Sequence, residues 1–263
     1  MFLFFRLTWI GICALSMMAQ TRLLAGLPLQ PAWLDGFVLG SAVFAYSFTH
    51  PDQRVRITAQ AAGVAGVVCF LLPWFLTGAL APWQQATLFP AILWSMYYGL
   101  QKPGNRGFRG IPAAKPLVIA LVWSWVTVVL PLPSAQWASG IFIFAGRAAF
   151  IFALALAYDL ADLEYDRRHR LVTLVGRMGT DKAFTLIDSA LFLALLSCLA
   201  NYFGKVYGLE QAIPLCISVI FSIWWLRHIL REGVRQEWQK VLIDGLMPLQ
   251  FLFIAITQTV LYL

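Results

Sequence analysis

The chain has 263 residues, of which 60% are hydrophobic and only 12% are charged, with a formal net charge of +7. Soluble domains carry roughly 25% charged residues, so this composition excludes an ordinary soluble protein and predicts an integral membrane protein.

Long apolar stretches separated by short polar joints repeat along the whole chain. Each is close to the roughly 17–25 residues that a helix needs to cross a bilayer. Helices also satisfy their own backbone hydrogen bonds in lipid. We therefore predict an all-α, polytopic membrane protein, with a single transmembrane domain over residues 1–263 and about nine helices around a central cavity. The predicted spans are 7–27, 33–49, 56–78, 82–100, 115–132, 137–160, 181–203, 210–230 and 239–262.

Basic residues are concentrated in alternate joints between these spans, whereas the joints at 79–81 and 133–136 contain none. The positive-inside rule places the basic joints in the cytoplasm, with the N-terminus inside and the C-terminus outside a bacterial inner membrane. Most of the net positive charge then serves to orient the helices in the membrane, so we expect no nucleic-acid partner. It also suits contact with anionic membrane lipid or an anionic substrate. The basic residues of these joints are Arg54, Arg56, Lys102, Arg106, Arg109, Lys115, Arg167, Arg168, Arg170, Arg177, Lys182, Arg227, Arg231, Arg235 and Lys240.

Three aspartates, Asp159, Asp162 and Asp166, stand at the predicted cytoplasmic end of the span 137–160, in a chain with only 12 acidic residues. On a helix these positions fall within an arc of about 60°. Carboxylates that close repel one another unless a cation joins them, and oxygen ligands beside substrate phosphates suit Mg²⁺. The pattern predicts a Mg²⁺ site, and the alternative is a solvated acidic helix end paired with the arginines that follow.

The segment from Tyr158 to Gly179 resembles the second aspartate motif of the UbiA family of intramembrane prenyltransferases. That motif reads D-x-x-D-x-x-x-D, then a basic stretch, then Thr-Leu and a Gly. In this chain the matching residues are Asp159, Asp162, Asp166, Thr173-Leu174 and Gly179. The resemblance implies a nine-helix fold with its active face on the cytoplasmic side. It also implies transfer of an isoprenyl group from a prenyl diphosphate to a lipophilic acceptor, with Mg²⁺ on the three aspartates and catalytic roles for Asp162 and Asp166. An aromatic acceptor is favoured, and a quinone-precursor ring, a porphyrin and a sugar phosphate remain open.

The first aspartate motif of that family, N-x-x-x-D-x-x-x-D, is altered in this chain, where Tyr46, His50 and Arg54 occupy the three positions. In one interpretation the three residues bind substrate, and Arg54 is also catalytic. Arginine holds phosphate oxygens in pairs and keeps its charge, so Arg54, with His50, would replace a second metal ion. In the other interpretation this half of the site has decayed, and the chain binds a lipid without turnover.

Further charged residues are candidates for the same site. The resemblance implies basic diphosphate ligands in the joint 101–114 and beside it, here Lys102, Arg109 and Lys115, although each also serves as a topology signal. Arg147 lies within a span, where an unpaired charge costs several kcal/mol. We expect it to face the central cavity and to hold the diphosphate or pair with Asp188, our candidate for a base or acceptor-binding group.

Two other functions compete with catalysis. One is a non-catalytic lipid-binding or scaffolding protein of the same fold. The other is a small transporter that uses charges within the spans, which predicts inverted repeats and interrupted helices. No clear repeat is visible in the sequence.

Overall fold

The computed structural model describes residues 2–29, 33–47, 57–58, 60–61, 63–66, 68, 114–168, 172–232 and 234–261. The chain forms two compact units. Unit one comprises Met1–Leu15 and Gln30–Arg109, and unit two comprises Ser16–Leu29 and Gly110–Leu263.

Unit one contains the first part of helix α1 (Phe2–Leu24), helix α2 (Trp33–Ser47) and helical residues between 57 and 68. Its packing depends on small residues where backbones come close. A Cβ atom added at Gly63 would lie 2.8 Å from the Cα of Phe44. Such close approach by glycine is a common way for membrane helices to pack, because lipid supplies little hydrophobic force between them.

Unit two contains the end of α1 and eight further helices, and its described residues include no strand. Helix α4 is central, because it packs against α3, α7 and α9. The helices are α3 (Ala114–Ser124, continued by a π-helical turn at Trp125–Val129), α4 (Trp137–Ala161), α5 (Leu163–Arg168), α6 (Leu174–Met178), α7 (Thr180–Phe203), α8 (Leu209–Arg231), α9 (Gln236–Asp244) and α10 (Leu246–Leu261).

Four described segments are long and apolar enough to cross a membrane: Trp137–Ala161, Thr180–Phe203, Leu209–Arg231 and Gln236–Val260. They coincide with the last four predicted spans, which confirms the all-α membrane fold class. The last of them combines α9 and α10, with Gly245 between the two helices. The predicted span 82–100 lies outside the described residues, so the count of nine stays a prediction.

Unit two has apolar side chains on its surface and charged side chains in its interior, as expected of a protein in lipid. Large apolar side chains point outward, and Ile141, Phe192 and Ile220 are each more than half exposed. Charged side chains such as Arg147 and Asp159 are buried instead. Because a bilayer solvates apolar surface and penalises charge, this arrangement suits a membrane environment.

The contact between α4 and α7 gives a test of the fold. A Cβ atom at Gly146 would lie 2.9 Å from the Oγ and 3.1 Å from the Cβ of Ser197. Gly146→Leu should therefore force the helices apart and destabilise the protein by about 1–3 kcal/mol. Ala145→Leu is the matched control, because Ala145 is exposed on the same helix. Thermal unfolding in detergent measures both, and equal melting temperatures would contradict the packing described.

Candidate active site

The acidic motif lies where α4 ends and α5 begins. Asp159 is in the last turn of α4, Asp162 stands between the two helices, and Asp166 is in α5. The backbone N–H of Asp162 donates to Tyr158 O at 3.0 Å, and that of Asp166 donates to Asp162 O at 2.8 Å. Helical hydrogen bonding thus continues across the junction and keeps the three aspartates on neighbouring turns.

Lys115 brings a positive charge from α3 to the first of these carboxylates. Its Nζ lies 2.5 Å from Asp159 Oδ1. The Asp159 side chain is only 1% exposed, whereas the Lys115 side chain is 42% exposed. Lys115 therefore covers the buried Asp159 carboxylate, while part of the lysine side chain itself stays exposed. Its predicted phosphate contact stays a prediction, but the residue does belong to the acidic site.

Helix α9 supplies the partners of the second carboxylate. Lys240 Nζ lies 2.5 Å from Asp162 Oδ1, and Gln236 Nε2 donates to the same oxygen. Lys240 also lies over the ring of Tyr158, with its Nζ 6.0 Å from the ring centroid. One oxygen of Asp162 is thus held by two side chains that are four residues apart on one face of α9.

Two carboxylate oxygens of the motif have no partner among the described residues. Asp159 Oδ2 and Asp166 Oδ2 are both buried and accept no hydrogen bond from that part of the chain. A buried anionic oxygen without a partner is costly, so each is suited to a cation or a proton. These two atoms are the structural feature that fits a Mg²⁺ ion.

The predicted set of three metal ligands is not assembled as one cage. Within the described ranges, no three Asp, Glu, His or Cys side chains come close enough to hold a metal ion. Asp162 is instead engaged by Lys240 and Gln236. This geometry still fits Mg²⁺, which commonly takes one or two protein carboxylates and completes its shell with water and phosphate oxygens.

The site contains more acidic than basic side chains, three aspartates against two lysines. Burial raises the pKa of Asp166 above its ordinary value, and Asp162 and Asp159 add to the rise. Lys115 and Lys240 oppose it. If all groups are ionised, three carboxylates and two ammonium groups leave a net charge of −1. In that ionisation state the described cluster repels a diphosphate until a further cation joins it.

A second polar contact lies beside this cluster and was not predicted. The Tyr158 hydroxyl donates to Asp244 Oδ2 at 2.5 Å, and Asp244 is buried. The sequence does contain a signal for this face of α9, because Gln236, Lys240 and Asp244 recur every four residues at the start of an apolar span. Their spacing places all three on the side that packs against α4.

Asp188 and Arg147 do not pair with each other, so that part of the sequence interpretation was wrong. Asp188 forms an ion pair with Arg227 of α8. The buried Arg147 guanidinium instead bonds to neutral oxygens of Gln20, Thr21, Thr127 and Met17. The two charges lie at different levels of the helix bundle: Gly146, next to Arg147, packs beside Ser197 of α7, and Asp188 lies nine residues before Ser197, about 14 Å back along that helix.

Most of the altered first motif and part of the basic joint fall outside the described residues. These are His50, Arg54, Lys102 and Arg109. Tyr46 belongs to α2, but the position of its side chain is not described. The predicted roles of these five residues stay predictions.

The residues that follow the acidic motif have local structural roles. Thr173 caps α6, because its Oγ1 accepts a hydrogen bond from Gly176 N at 3.2 Å. Gly179 has φ +82°, a backbone conformation that L side chains rarely adopt, and α7 begins at the next residue. The Thr and Gly of the motif thus shape the return of the chain from the acidic site into the next span.

Comparison with known proteins supports the fold. No family model matches the sequence, and no curated protein matches it. A solved structure described as the apo structure of a UbiA homolog from Aeropyrum pernix K1 matches with a TM-score of 0.67 and 14% sequence identity. The match covers 96% of this chain and 98% of that chain. The protein is therefore an integral membrane protein with the UbiA fold.

Proposed function

We propose that this protein is a Mg²⁺-dependent membrane prenyltransferase that transfers an isoprenyl group from a prenyl diphosphate to a lipophilic, aromatic acceptor. The observation that carries the proposal is a pair of buried oxygens, Asp159 Oδ2 and Asp166 Oδ2, which have no partner in the described part of the chain and lie in the same cluster as Lys115 and Lys240. The UbiA fold supports it, because the acidic site lies at the helix end where the sequence resemblance places the diphosphate.

Charge balance explains the need for a metal ion. The described cluster has a net charge of −1 when ionised, and a diphosphate brings further negative charge. Asp159 and Asp166, whose free oxygens are buried, would hold a divalent cation, which would change the net charge of the ionised cluster from −1 to +1. When bound, Mg²⁺ would stabilise the negative charge that develops on the leaving group.

The protein side chains then have distinct roles in the reaction. The bond between the allylic carbon and the bridging oxygen breaks, and its electron pair leaves with the diphosphate. Lys115 and Lys240 stand where an ammonium group would stabilise that departing anion. The acceptor carbon attacks the allylic cation and afterwards loses a proton. We assign this proton to the Tyr158–Asp244 pair, because Tyr158 immediately precedes Asp159 and lies under Lys240, whereas Asp188 is ion-paired with Arg227.

Asp166→Asn tests the metal assignment. Removing this negative charge should lower Mg²⁺-dependent pyrophosphate release from geranyl, farnesyl and geranylgeranyl diphosphates by roughly 100-fold or more. The measurement uses purified protein in detergent with acceptor-containing membrane extract. Asp181→Asn is the control, because Asp181 is an exposed aspartate at the start of α7. Equal release by the Asp166 variant and the wild type would sink the metal assignment.

Lys240→Met tests the role of α9 in the site. The substitution leaves Asp162 with only Gln236 and adds one net negative charge, so affinity for farnesyl thiodiphosphate in Mg²⁺ should fall about tenfold. Lys240→Arg should retain most of the affinity, since it keeps the charge. Lys182→Met, at an exposed position of α7, controls for the loss of a basic residue. The idea fails if calorimetry gives the Lys240→Met and Lys182→Met proteins the same affinity.

The second candidate function is diphosphate-lipid binding without turnover, favoured by Tyr46, His50 and Arg54 in place of the first motif. Wild-type protein that binds prenyl diphosphates in Mg²⁺ but releases no pyrophosphate would support it. Arg54→Asp separates the two interpretations. We expect weaker diphosphate binding because Arg54 replaces a metal ion, whereas stronger Mg²⁺-supported binding would indicate a decayed site restored by the substitution.

A further inference from the structure

A small cavity inside unit two, separate from the acidic site, contains a buried cation. Its volume is about 30 Å³, and Arg147, Asn201, Tyr207 and Gln250 are among the residues that line it. The volume is room for roughly two water-sized particles. Arg147 is about 18 Å from Asp159 along α4, so the cavity is not part of the proposed diphosphate site.

The charge of Arg147 is not neutralised within unit two as described. Its two terminal nitrogens donate to Met17 O at 2.8 Å, Thr127 Oγ1 at 3.1 Å, Gln20 Oε1 at 2.6 Å and Thr21 Oγ1 at 3.3 Å. All four acceptors are neutral. Arginine does not lose its proton in proteins, so these four bonds occupy the terminal N–H groups but leave one positive charge inside a membrane domain.

Other donors converge on the same cavity. Gln20 Nε2 donates to Gln250 Oε1 at 3.0 Å, which fixes the Gln250 amide. The side chains of Gln250 and Tyr207 line the cavity, and each carries an N–H or O–H donor that an anion can use. Burial raises the pKa of Tyr207, although nearby Arg147 lowers it, so the phenol remains a neutral donor and not a counter-ion.

One buried acceptor in this cavity also lacks a partner. Asn201 is 1% exposed, and its Oδ1 accepts no hydrogen bond from the described residues. Its amide nitrogen donates to Ser197 O at 2.9 Å, which fixes the direction of the oxygen. Such an atom requires a donor that the described protein does not provide, and a water molecule is the smallest one.

We propose that this cavity binds one small monovalent anion of halide size, such as chloride, together with one water molecule. The anion neutralises Arg147 and accepts hydrogen bonds from Tyr207 and Gln250. The water donates one hydrogen to Asn201 Oδ1 and the other to the anion. The volume suits two small particles and excludes a diphosphate. The anion is structural, because it stabilises the junction of α1, α4, α7 and α10.

The first test is thermal unfolding of the full-length protein in detergent. Protein in sodium gluconate is titrated with sodium chloride at constant ionic strength. The melting temperature should rise saturably by roughly 3 °C, because a ligand that binds only the folded state stabilises it. Equal melting temperatures in gluconate and chloride would overturn the proposal.

Asn201→Asp provides the matched control for anion effects on the basic surface. It places a fixed negative charge in the cavity, so the dependence on chloride should disappear while surface effects remain. Asn201→Ser, a neutral change, should keep the dependence. A full chloride response in the Asp variant contradicts the site.

Direct binding keeps the test decisive if the Asp variant does not fold. Equilibrium dialysis with radioactive chloride should give one bound ion per wild-type chain. Tyr207→Phe, which removes one donor, should weaken that affinity about tenfold. No bound chloride, or unchanged affinity in the Phe variant, rejects the proposal.

Discussion

Two lysines from distant parts of the chain hold the acidic end of α4 together. Without Lys115 and Lys240, three aspartates on neighbouring turns would repel one another beside a low-dielectric membrane. The two ion pairs also join α3 and α9 to the end of α4. The contacts that reduce repulsion among the aspartates therefore also hold these helices of unit two together.

The placement of partners divides the acidic cluster into two parts. Asp162 is engaged by Lys240 and Gln236, whereas Asp159 and Asp166 each retain a buried oxygen without a described partner. The division follows from position, because Asp162 stands at the junction of two helices and faces α9. The lysines reduce the repulsion but leave a negative balance, which is why the proposed chemistry depends on an additional cation.

Arg147 presents the opposite problem near the middle of the same helix. Four neutral oxygens accept from its terminal nitrogens, and one of them belongs to Thr127 in the π-helical turn that continues α3. Such turns are frequent at functional sites because they displace side chains from regular helical positions. Hydrogen bonds alone leave its charge in the domain, so an anion in the adjoining cavity has a physical reason to be there.

The sequence by itself determined the membrane class, the last four spans and the acidic motif. Apolar runs near the length of a bilayer and three aspartates at helical spacing depend only on local periodicity. The sequence did not determine the partners of these charges. Lys115 and Lys240 are 44 and 78 residues from the aspartates they pair with, and no local pattern specifies such contacts. Only the tertiary structure decided that Asp188 pairs with Arg227 and that Asp244 lies beside the site, because helix packing brings together residues that the chain keeps apart.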